Sequence, residues 1–266
     1  MDKVIMSEKM NFLMEAKGVN KSFGSINALE EVNLEIGYNE IVGLIGDNGA
    51  GKSTLIKILT GVHSADRGEL YWKGQKLDKL TVSLARDLGI VTVFQDRALS
   101  GQHSIWRNIF MGKELTNRLG FTNIRKEKEE TLKLMKEIMG FTSSSAISPD
   151  NIVGTMSGGE QQGVAISRAL YFEASLIILD EPTNGLSLTE TQKVFDFVQT
   201  IKKKKKSCIF ITHNLFHIYP VADRIVIVDR GKIVQNLVKN ELTLGELEKR
   251  MFEIAGTDIF KIENTN

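Results

Sequence analysis

The chain has 266 residues, of which 42% are hydrophobic and 25% are charged, as in an ordinary globular protein. This length suits one large domain or two small ones, and it buries a full core without disulfides or structural metals. The net charge of +1 gives no global attraction to nucleic acid or to an acidic partner. The single cysteine, Cys208, excludes a disulfide within the chain, and we interpret it as a small buried hydrophobe in a reducing cytosol.

The N-terminal stretch "MDKVIMSEKMNFLMEAKG" mixes charged and apolar residues and does not read as a secretory signal. No segment reaches the roughly 20 apolar residues that a membrane-spanning helix requires. If the protein acts at a membrane, we expect another chain to provide the membrane part.

Four short apolar runs are nearly continuous, which is typical of strands buried on both faces of a parallel sheet. They cover residues 40–46, 89–95, 175–181 and 207–213. A fifth run, 223–234, is interrupted by Arg230-Gly231 and predicts a hairpin. Residues 20–36 and 68–77 predict shorter antiparallel strands, with Lys73-Gly74 as a turn.

Helical patterns lie between these runs, so the order of elements predicts a parallel-sheet domain with a mainly helical insertion from about residue 96 to 174. The segment 126–140 predicts an amphipathic helix with Leu132, Met135, Ile138 and Met139 on its apolar side. Further helices are predicted after Gly51 and over residues 159–172, 190–206 and 243–255. We find no internal repeat.

The stretch "GDNGAGKS" has the form G-x-x-x-x-G-K-[ST], follows a predicted strand and begins a predicted helix, as a phosphate-binding loop does. Glycines let successive N–H groups turn toward phosphate oxygens, and the helix adds the positive end of its dipole. Lys52 is expected to reach the β- and γ-phosphates, and Ser53 to bind Mg²⁺. The candidate nucleotide-binding residues here are Gly46, Asp47, Asn48, Gly49, Ala50, Gly51, Lys52, Ser53 and Thr54.

A phosphate clamp also needs a carboxylate that orients the metal, and "LIILDE" places Asp180 at the end of a predicted strand. Glu181 follows directly, and adjacent carboxylates point in different directions, so one is able to hold Mg²⁺ while the other polarises water. An apolar run ending in Asp-Glu is structural in many proteins, but after a phosphate-binding loop it favours chemistry.

The stretch "MSGGEQQ" predicts a helix start with Ser157 as its N-cap. The glycines Gly158 and Gly159 leave backbone N–H groups uncovered, so an anion is able to approach them. The alternative interpretation is an ordinary capped helix.

From about Asn11 to Val234 the chain resembles the ATP-binding cassette family, the ATPase subunits of ABC transporters. The phosphate-binding loop, "SGGEQ", "LIILDE", a lone glutamine and a lone histidine occur in the family's order. The resemblance implies an α/β P-loop NTPase of the ABC type, with a RecA-like core, an antiparallel β subdomain and a helical subdomain. Residues 11–95 and 175–235 would form the core and the β subdomain, 96–174 the helical subdomain with the signature, and 236–266 a C-terminal helix and tail.

The resemblance also implies roles for single residues. Glu181 matches the catalytic carboxylate and His213 in "FITHN" the switch histidine, while Gln95 in "VTVFQD" matches the glutamine that contacts Mg²⁺ and the attacking water. Asp180 and Ser53 would complete the metal site. The signature residues Ser157, Gly158, Gly159 and Glu160 would contact the γ-phosphate of ATP held by a second subunit, and Phe23 would stack on the adenine. Without the resemblance, His213 reads as a strand-end residue, Phe23 as core and Gln95 as surface.

The chain departs from the family's pattern in three places. Met156 stands where leucine is usual, and Phe23 stands where tyrosine is common, so that stacking is kept and a hydroxyl is lost. The stretch Asn184-Gly185-Leu186-Ser187 stands where many members have Ser-Ala-Leu-Asp, and Ser187 lacks that aspartate's charge. We therefore leave the coupling between two sites through this loop open.

The segment from Phe94 to Glu114 lies where the family docks the coupling helix of its membrane partner. Within it, "FQDRAL" and "NIFMGKE" resemble the ATPases of monosaccharide importers of the ribose, xylose and fructose type. The implied cofactors are ATP and Mg²⁺. The implied partners are a second copy of the chain, a membrane permease and, indirectly, an extracytoplasmic sugar-binding protein, with the chain at the cytoplasmic face of the cell membrane.

The alternative hypothesis is a soluble cassette ATPase that acts on ribosomes, DNA or iron–sulfur assembly. Such members carry a second cassette with a charged linker or an inserted coiled coil, and neither pattern is found here. The lysine run 202–206 is a conceivable nucleic-acid patch, but we interpret it as a solvated helix end whose cations complement the helix dipole, and we expect no nucleic-acid partner. A cassette that only binds nucleotide is disfavoured because Glu181 and His213 are both present.

Overall fold

A computed structural model describes residues 12–93, 99–137, 148–254 and 256. The strands in this part of the chain are β1 (Met14–Phe23), β2 (Ile26–Ile36), β3 (Ile41–Ile45), β4 (Arg67–Trp72), β5 (Gln75–Leu77), β6 (Ile90–Val93), β7 (Leu176–Asp180), β8 (Ser207–Thr212), β9 (Arg224–Asp229) and β10 (Lys232–Val238). The α-helices are α1 (Lys52–Leu59), α2 (Val82–Asp87), α3 (Ile105–Phe110), α4 (Ile124–Glu137), α5 (Gly158–Tyr171), α6 (Leu188–Lys203), α7 (Leu215–Ile218) and α8 (Leu244–Ile254). Single 3₁₀ turns occupy Val153–Thr155 and Lys239–Glu241.

The strands form two sheets. The larger has the order β10-β9-β3-β8-β7-β6, in which β6, β7, β8, β3 and β9 run parallel and β10 is an antiparallel edge. The smaller has the order β2-β1-β4-β5 and is antiparallel throughout. The predicted parallel strands, the predicted antiparallel strands and the predicted hairpin after β9 are therefore confirmed.

The strands β3, β7, β8 and β9 of the larger sheet are buried on both faces, which explains their continuous apolar runs. On β3, Ile41 and Ile45 belong to a core shared with α3, α4, α5 and α6, whereas Val42 and Leu44 belong to a core shared with α1 and the smaller sheet. Alternate residues of one strand are therefore buried in two different cores. Cys208 is fully buried in the first of these, as expected, and burial raises the pKa of its thiol.

The apolar face predicted for the helix that is now α4 was partly wrong. Leu132 is exposed, and the buried residues are Glu127, Thr131, Leu134 and Met135, spaced as one helical face. Glu127 belongs to this face because its Oε1 accepts the Leu115 N–H at 2.8 Å, a contact that local periodicity does not reveal. Ile138 and Met139 lie outside the described residues.

The lysine run at the end of α6 has partners within the chain. Lys202 pairs with Asp223, Lys204 Nζ lies 3.3 Å from Glu137 Oε2, and Lys206 Nζ donates to the Glu173 carbonyl at 3.4 Å. This arrangement fits the interpretation as a helix end. Across the described residues, no helix has the length and apolar character needed to cross a membrane.

The two hairpins of type X-Gly share one turn geometry but have different surroundings. Lys73-Gly74 has φ values of 50° and 78°, and Arg230-Gly231 has 45° and 79°, as in a type I′ turn. A Cβ built on Gly74 meets nothing within 4 Å, whereas one built on Gly231 lies 2.8 Å from the Ala28 carbonyl oxygen. The second hairpin is therefore packed tightly against β2.

We expect Gly231→Ala to destabilise the protein more than Gly74→Ala. Both variants force alanine into the left-handed region, at a cost of about 1–3 kcal/mol. Only the first also brings the new methyl group against the β2 backbone. The measurement is the free energy of unfolding from urea denaturation of both variants and the wild type, and equal losses would contradict this account of the hairpin.

Candidate functional site

Three parallel strands of the larger sheet, β3, β7 and β8, end within one residue of each other in register. Ile45 at the end of β3 is in register with Thr212 of β8 and with Ile227 of β9, and Asp180 of β7 is in register with Ile211 of β8. The residues that follow these ends therefore meet at one edge of the sheet. This edge carries the phosphate-binding loop after β3, Glu181 after β7 and His213 after β8, and carboxyl ends of parallel strands are where such sheets bind ligands.

The phosphate-binding loop is braced by the β9–β10 hairpin. Gly231 donates its N–H to the Ala50 carbonyl at 2.9 Å and accepts the Glu30 N–H, also at 2.9 Å. A Cβ on Gly46 would lie 2.1 Å from the Val228 carbonyl oxygen, so only glycine allows β9 to approach the start of the loop this closely. The sequence located the turn at Gly231 but not its contact with the loop.

Lys52 is the first residue of α1, and its side chain folds back over the phosphate-binding loop that precedes the helix. The residue is only 7% exposed, and its Nζ donates to the Gly46 carbonyl at 2.6 Å and to the Asp47 carbonyl at 3.0 Å. Burial lowers the pKa of the Lys52 ammonium, and the charges of Glu181, Asp180 and Asp47 oppose that shift. The Lys52 ammonium therefore lies within the field of three carboxylates, at the edge where the strands end.

Asp180 and Glu181 occupy different environments although they are adjacent. Burial raises the pKa of the Asp180 carboxyl, the neighbouring charge of Glu181 raises it further, and Lys52 opposes both effects. Glu181 has φ +47°, an uncommon value for a residue other than glycine, and its N–H donates to the Ile211 carbonyl at 3.0 Å. Such local backbone strain is found most often at functional sites.

The structure brings Glu181 and His213 into direct contact. Their Oε1 and Nδ1 atoms lie 2.9 Å apart. The Glu181 side chain is 15% exposed and that of His213 is 53% exposed, so the histidine covers a mostly buried carboxylate from the solvent side. This pair gives the carboxylate an oriented partner at the mouth of the site.

The oxygen donors that would accompany a magnesium ion are the Ser53 hydroxyl and the Asp180 carboxylate. Hydroxyl, carboxylate and phosphate oxygens suit Mg²⁺, which keeps several waters and is bound together with substrate phosphates. Among the described residues, no group of three or more His, Cys, Asp or Glu side chains could hold a metal alone. The donors present thus fit Mg²⁺ that arrives with a nucleotide. Gln95 lies outside the described residues.

Phe23 ends β1 and is 45% exposed, so its interpretation as a core residue is wrong. Its ring meets the His63 ring edge-on at 5.4 Å between centroids, and Lys21 Nζ lies 5.4 Å from its centroid. A half-exposed aromatic ring beside a cation is able to accept a flat base against its free surface.

The signature stretch begins α5 with a complete capping box. Ser157 N–H donates to Glu160 Oε2 at 2.9 Å, and Glu160 N–H donates to Ser157 Oγ at 3.4 Å. Gly159 N–H donates to Glu190 Oε1 on α6 at 3.1 Å. The stretch is therefore a capped helix, as the alternative interpretation held, and this does not conflict with a role of its exposed end in binding.

Two neighbours of the site were missed at the sequence level. The buried Thr183 Oγ1 lies 2.9 Å from His217 Nδ1, and Asn214 Nδ2 lies 3.3 Å from His217 Nε2. With the Asn214 amide donating to Nε2, Nδ1 carries the proton and donates to Thr183. The sequence signal that could have identified Thr183, Asn214 and His217 is that they closely follow Glu181 and His213.

The sequence of the chain is similar to those of known proteins. A family model described as "ABC transporter" matches residues 29–184. The chain is 43% identical over 246 residues to the xylose/arabinose import ATP-binding protein XylG of Sulfolobus acidocaldarius, covering 92% of this chain and 96% of that protein. It is 32% identical over 267 residues to the ribose import ATP-binding protein RbsA of Caldanaerobacter subterraneus, covering 96% of this chain but 53% of that protein.

Solved structures agree in fold. A nucleotide-free ATP-binding cassette from an ABC transporter superposes with a TM-score of 0.77 at 23% identity, covering 92% of this chain and 98% of that one. A dimeric ATP-binding cassette in a post-hydrolysis state, bound to ADP and phosphate, superposes with a TM-score of 0.70 at 24% identity, covering 85% of this chain and 98% of that one.

We expect His217 to make stability depend on pH below neutrality. Burial, with a smaller effect from His213, lowers the pKa of His217 in the folded state, so the unfolded chain binds this proton more readily. The contribution of the neutral histidine is therefore fully present above its unfolded pKa of about 6.5 and is lost as the pH falls below it. Urea denaturation between pH 7.5 and 5 should show a steeper loss for the wild type than for His217→Gln, and parallel profiles would contradict this.

Proposed function

The chain belongs to the ABC transporter family as an ATPase domain, and from this premise we propose that it hydrolyses ATP to power the uptake of a simple sugar. The observation that carries the sugar assignment is the 43% identity to a xylose/arabinose import ATP-binding protein across nearly the full length of both chains. The ribose import relatives support the same substrate class. We propose that the chain works at the cytoplasmic face of the cell membrane.

The residues at the edge formed by β3, β7 and β8 support separate roles in ATP hydrolysis. Glu181 polarises the attacking water, and His213, in contact with it at 2.9 Å, holds the carboxylate in place. Lys52 exchanges its two carbonyl partners for β- and γ-phosphate oxygens. Ser53 and Asp180 would hold Mg²⁺, which neutralises phosphate charge when bound. The loop residues from Gly46 to Thr54 would cradle the phosphates, and Phe23 would stack on the adenine.

We propose that two copies of the chain sandwich two ATP molecules. Ser157 is exposed at the start of α5, and Asp47, Asn48 and Gly49 are exposed on the phosphate-binding loop, so both surfaces are open to a second copy. The signature of one copy would then complete the site on the other. Such closure and reopening would move the attached membrane helices.

A groove lined in part by Leu99, Met111 and Lys113, which belong to the segment predicted to dock the membrane permease, supports that docking. The described part of its wall includes Leu99, Met111 and the ends of α2, β6 and α5, around a cavity of about 270 Å³. Three cationic residues, Arg86, Lys113 and Arg168, line it, and its described lining includes no carboxylate. Arg168 donates to the Met111 carbonyl at 3.0 Å, and burial lowers the pKa of its guanidinium. This charge imbalance favours a permease segment that carries a carboxylate.

The catalytic assignment is tested with Glu181→Gln. The amide keeps the size of the side chain but accepts no proton from water, so we expect ATP binding without turnover and an ATP-dependent dimer. Phosphate release and light scattering measure the two effects. A loss of turnover of about 100-fold or more is expected for removal of a general base, and rapid ATPase activity in this variant would overturn the assignment.

The transport assignment is tested by co-purification of the membrane partner and ATP-driven uptake of a panel of sugars into vesicles. Arg86→Glu should reduce co-purification because it places a carboxylate in the groove that receives one. Lys249→Glu on α8 makes the same change of charge on an exposed surface and serves as the control. Failure of any membrane subunit to co-purify with the wild type under mild conditions would contradict the transport role.

A further inference from the structure

The signature stretch and the loop Asn184-Gly185-Leu186-Ser187 are joined within one chain by the carboxylate of Glu190. Its Oε1 accepts the Gly159 N–H at 3.1 Å, at the start of α5. Its Oε2 accepts the Ser187 N–H at 3.0 Å and the Ser187 hydroxyl at 2.9 Å, at the start of α6. One side chain therefore bridges the first turns of two helices that begin 30 residues apart, at Gly158 and Leu188.

The bridge is tight as well as polar. A Cβ built on Gly159 would lie 3.0 Å from Glu190 Cβ, 3.1 Å from its Cγ and 3.3 Å from its Cα. A side chain larger than that of glycine at position 159 would therefore press on Glu190, because the backbone of α5 packs directly against it. Donation from Gly159 N–H, followed by the contributions of Ser187, lowers the pKa of Glu190 to about 2, so the carboxylate is ionised throughout the physiological range.

The Glu190 bridge also determines which hydrogen-bond donors of the signature stretch are already occupied. Ser157 N–H and Glu160 N–H are used in the capping box, and Gly159 N–H is used by Glu190. Within the described part of the chain, no acceptor meets Gly158 N–H. The Ser157 hydroxyl also interacts with the Glu190 carboxylate, so the N–H of Gly158 is the group left for an incoming anion, and a phosphate contact from Gly159 or from the Ser157 hydroxyl requires exchange with that carboxylate.

We propose that Glu190 is a positioning residue that locks the Ser187 loop to the signature, so that both segments meet a second copy's ATP as one unit. The lock compensates for Ser187, which lacks a charge of its own, because Glu190 supplies a carboxylate from the first turn of α6. Two surfaces held in fixed relation lose less conformational freedom when a second copy docks. This inference rests on the proposed nucleotide-sandwich dimer.

The test measures ATP-dependent dimerisation by light scattering in the Glu181→Gln background. Adding Glu190→Ala should raise the ATP concentration for half-maximal dimerisation about ten-fold, as expected for the loss of hydrogen bonds to a charged group. Adding Glu190→Gln should give an intermediate value, because the amide oxygen still accepts from Gly159 while its NH₂ cannot accept from Ser187 N–H. The affinity of the dilute monomer for a fluorescent ATP analogue should be unchanged in both.

The matched control is Glu246→Ala on α8. There, Thr243 N–H and Oγ1 both donate to Glu246 Oε2 at 2.7 Å, and Glu246 N–H donates back to Thr243 Oγ1 at 3.3 Å. This capping box repeats that of Ser187 and Glu190, but no second helix among the described residues donates to its carboxylate. We expect Glu246→Ala to remove a comparable capping box and leave dimerisation unchanged, and to lower the melting temperature less than Glu190→Ala does because it loses no bond to Gly159.

Three outcomes separate the possibilities. Graded weakening by the two Glu190 variants with no effect of Glu246→Ala supports the lock. Dimerisation of Glu190→Ala at the same ATP concentration as its parent, or equal weakening by Glu246→Ala, overturns the lock while leaving the sandwich dimer intact. Failure of Glu181→Gln itself to dimerise with ATP overturns the dimer and, with it, the lock.

Discussion

The register of the parallel strands is the constraint on which the site depends. Because Ile45, Thr212 and Asp180 end their strands within one residue of each other in register, the residues that follow them meet in the same space. A shift of one residue in any pair would turn side chains to the opposite face and move Glu181 away from His213. The two cores on either side of the sheet prevent such a shift, since alternate residues of each strand are buried in different cores.

The charges at this edge balance one another before any nucleotide arrives. Lys52 is nearly buried, and its ammonium is supported by two carbonyl oxygens and by the field of the carboxylates opposite. Asp180 is half-buried, and the charges of Lys52 and, less strongly, Lys57 oppose the rise of its pKa that burial and Glu181 produce. A buried cation is stable only when its charge has close polar or charged partners. The backbone carbonyls of Gly46 and Asp47 in the phosphate-binding loop are such partners for Lys52.

Around this edge, close backbone contacts join parts that lie far apart in the chain. The hairpin at Gly231 binds both the phosphate-binding loop and β2, so the smaller sheet and the larger sheet meet behind the loop. Gly46 approaches the backbone of β9 most closely, and Gly159 packs less tightly against Glu190 on α6. At Gly231 and Gly46 a glycine is needed because another segment occupies the volume of a side chain, which is a different reason from the flexibility usually ascribed to glycine-rich loops.

Most of the sheet and the phosphate-binding loop could be predicted from local pattern alone. Continuous apolar runs identified the buried strands, the X-Gly pairs identified both hairpins, and the ordered motifs identified the family. The predictions that were wrong or missing concern residues whose burial or contacts depend on distant parts of the chain. Leu132 was assigned to the buried face of α4 because its neighbours in sequence suggested it, whereas Glu127 is buried through a bond to the distant Leu115.

By itself the sequence determined which elements form, where the nucleotide loop lies and which residues are chemically able to act, because these depend on residue type and short spacing. Only the tertiary structure decided that His213 contacts Glu181, that Thr183 binds His217 and that Glu190 holds the signature to the Ser187 loop. These pairs are joined across 31 to 34 residues of chain. Their contact is set by the strand register and the packing of α5 on α6, and no local periodicity encodes a distance between elements that the fold brings together.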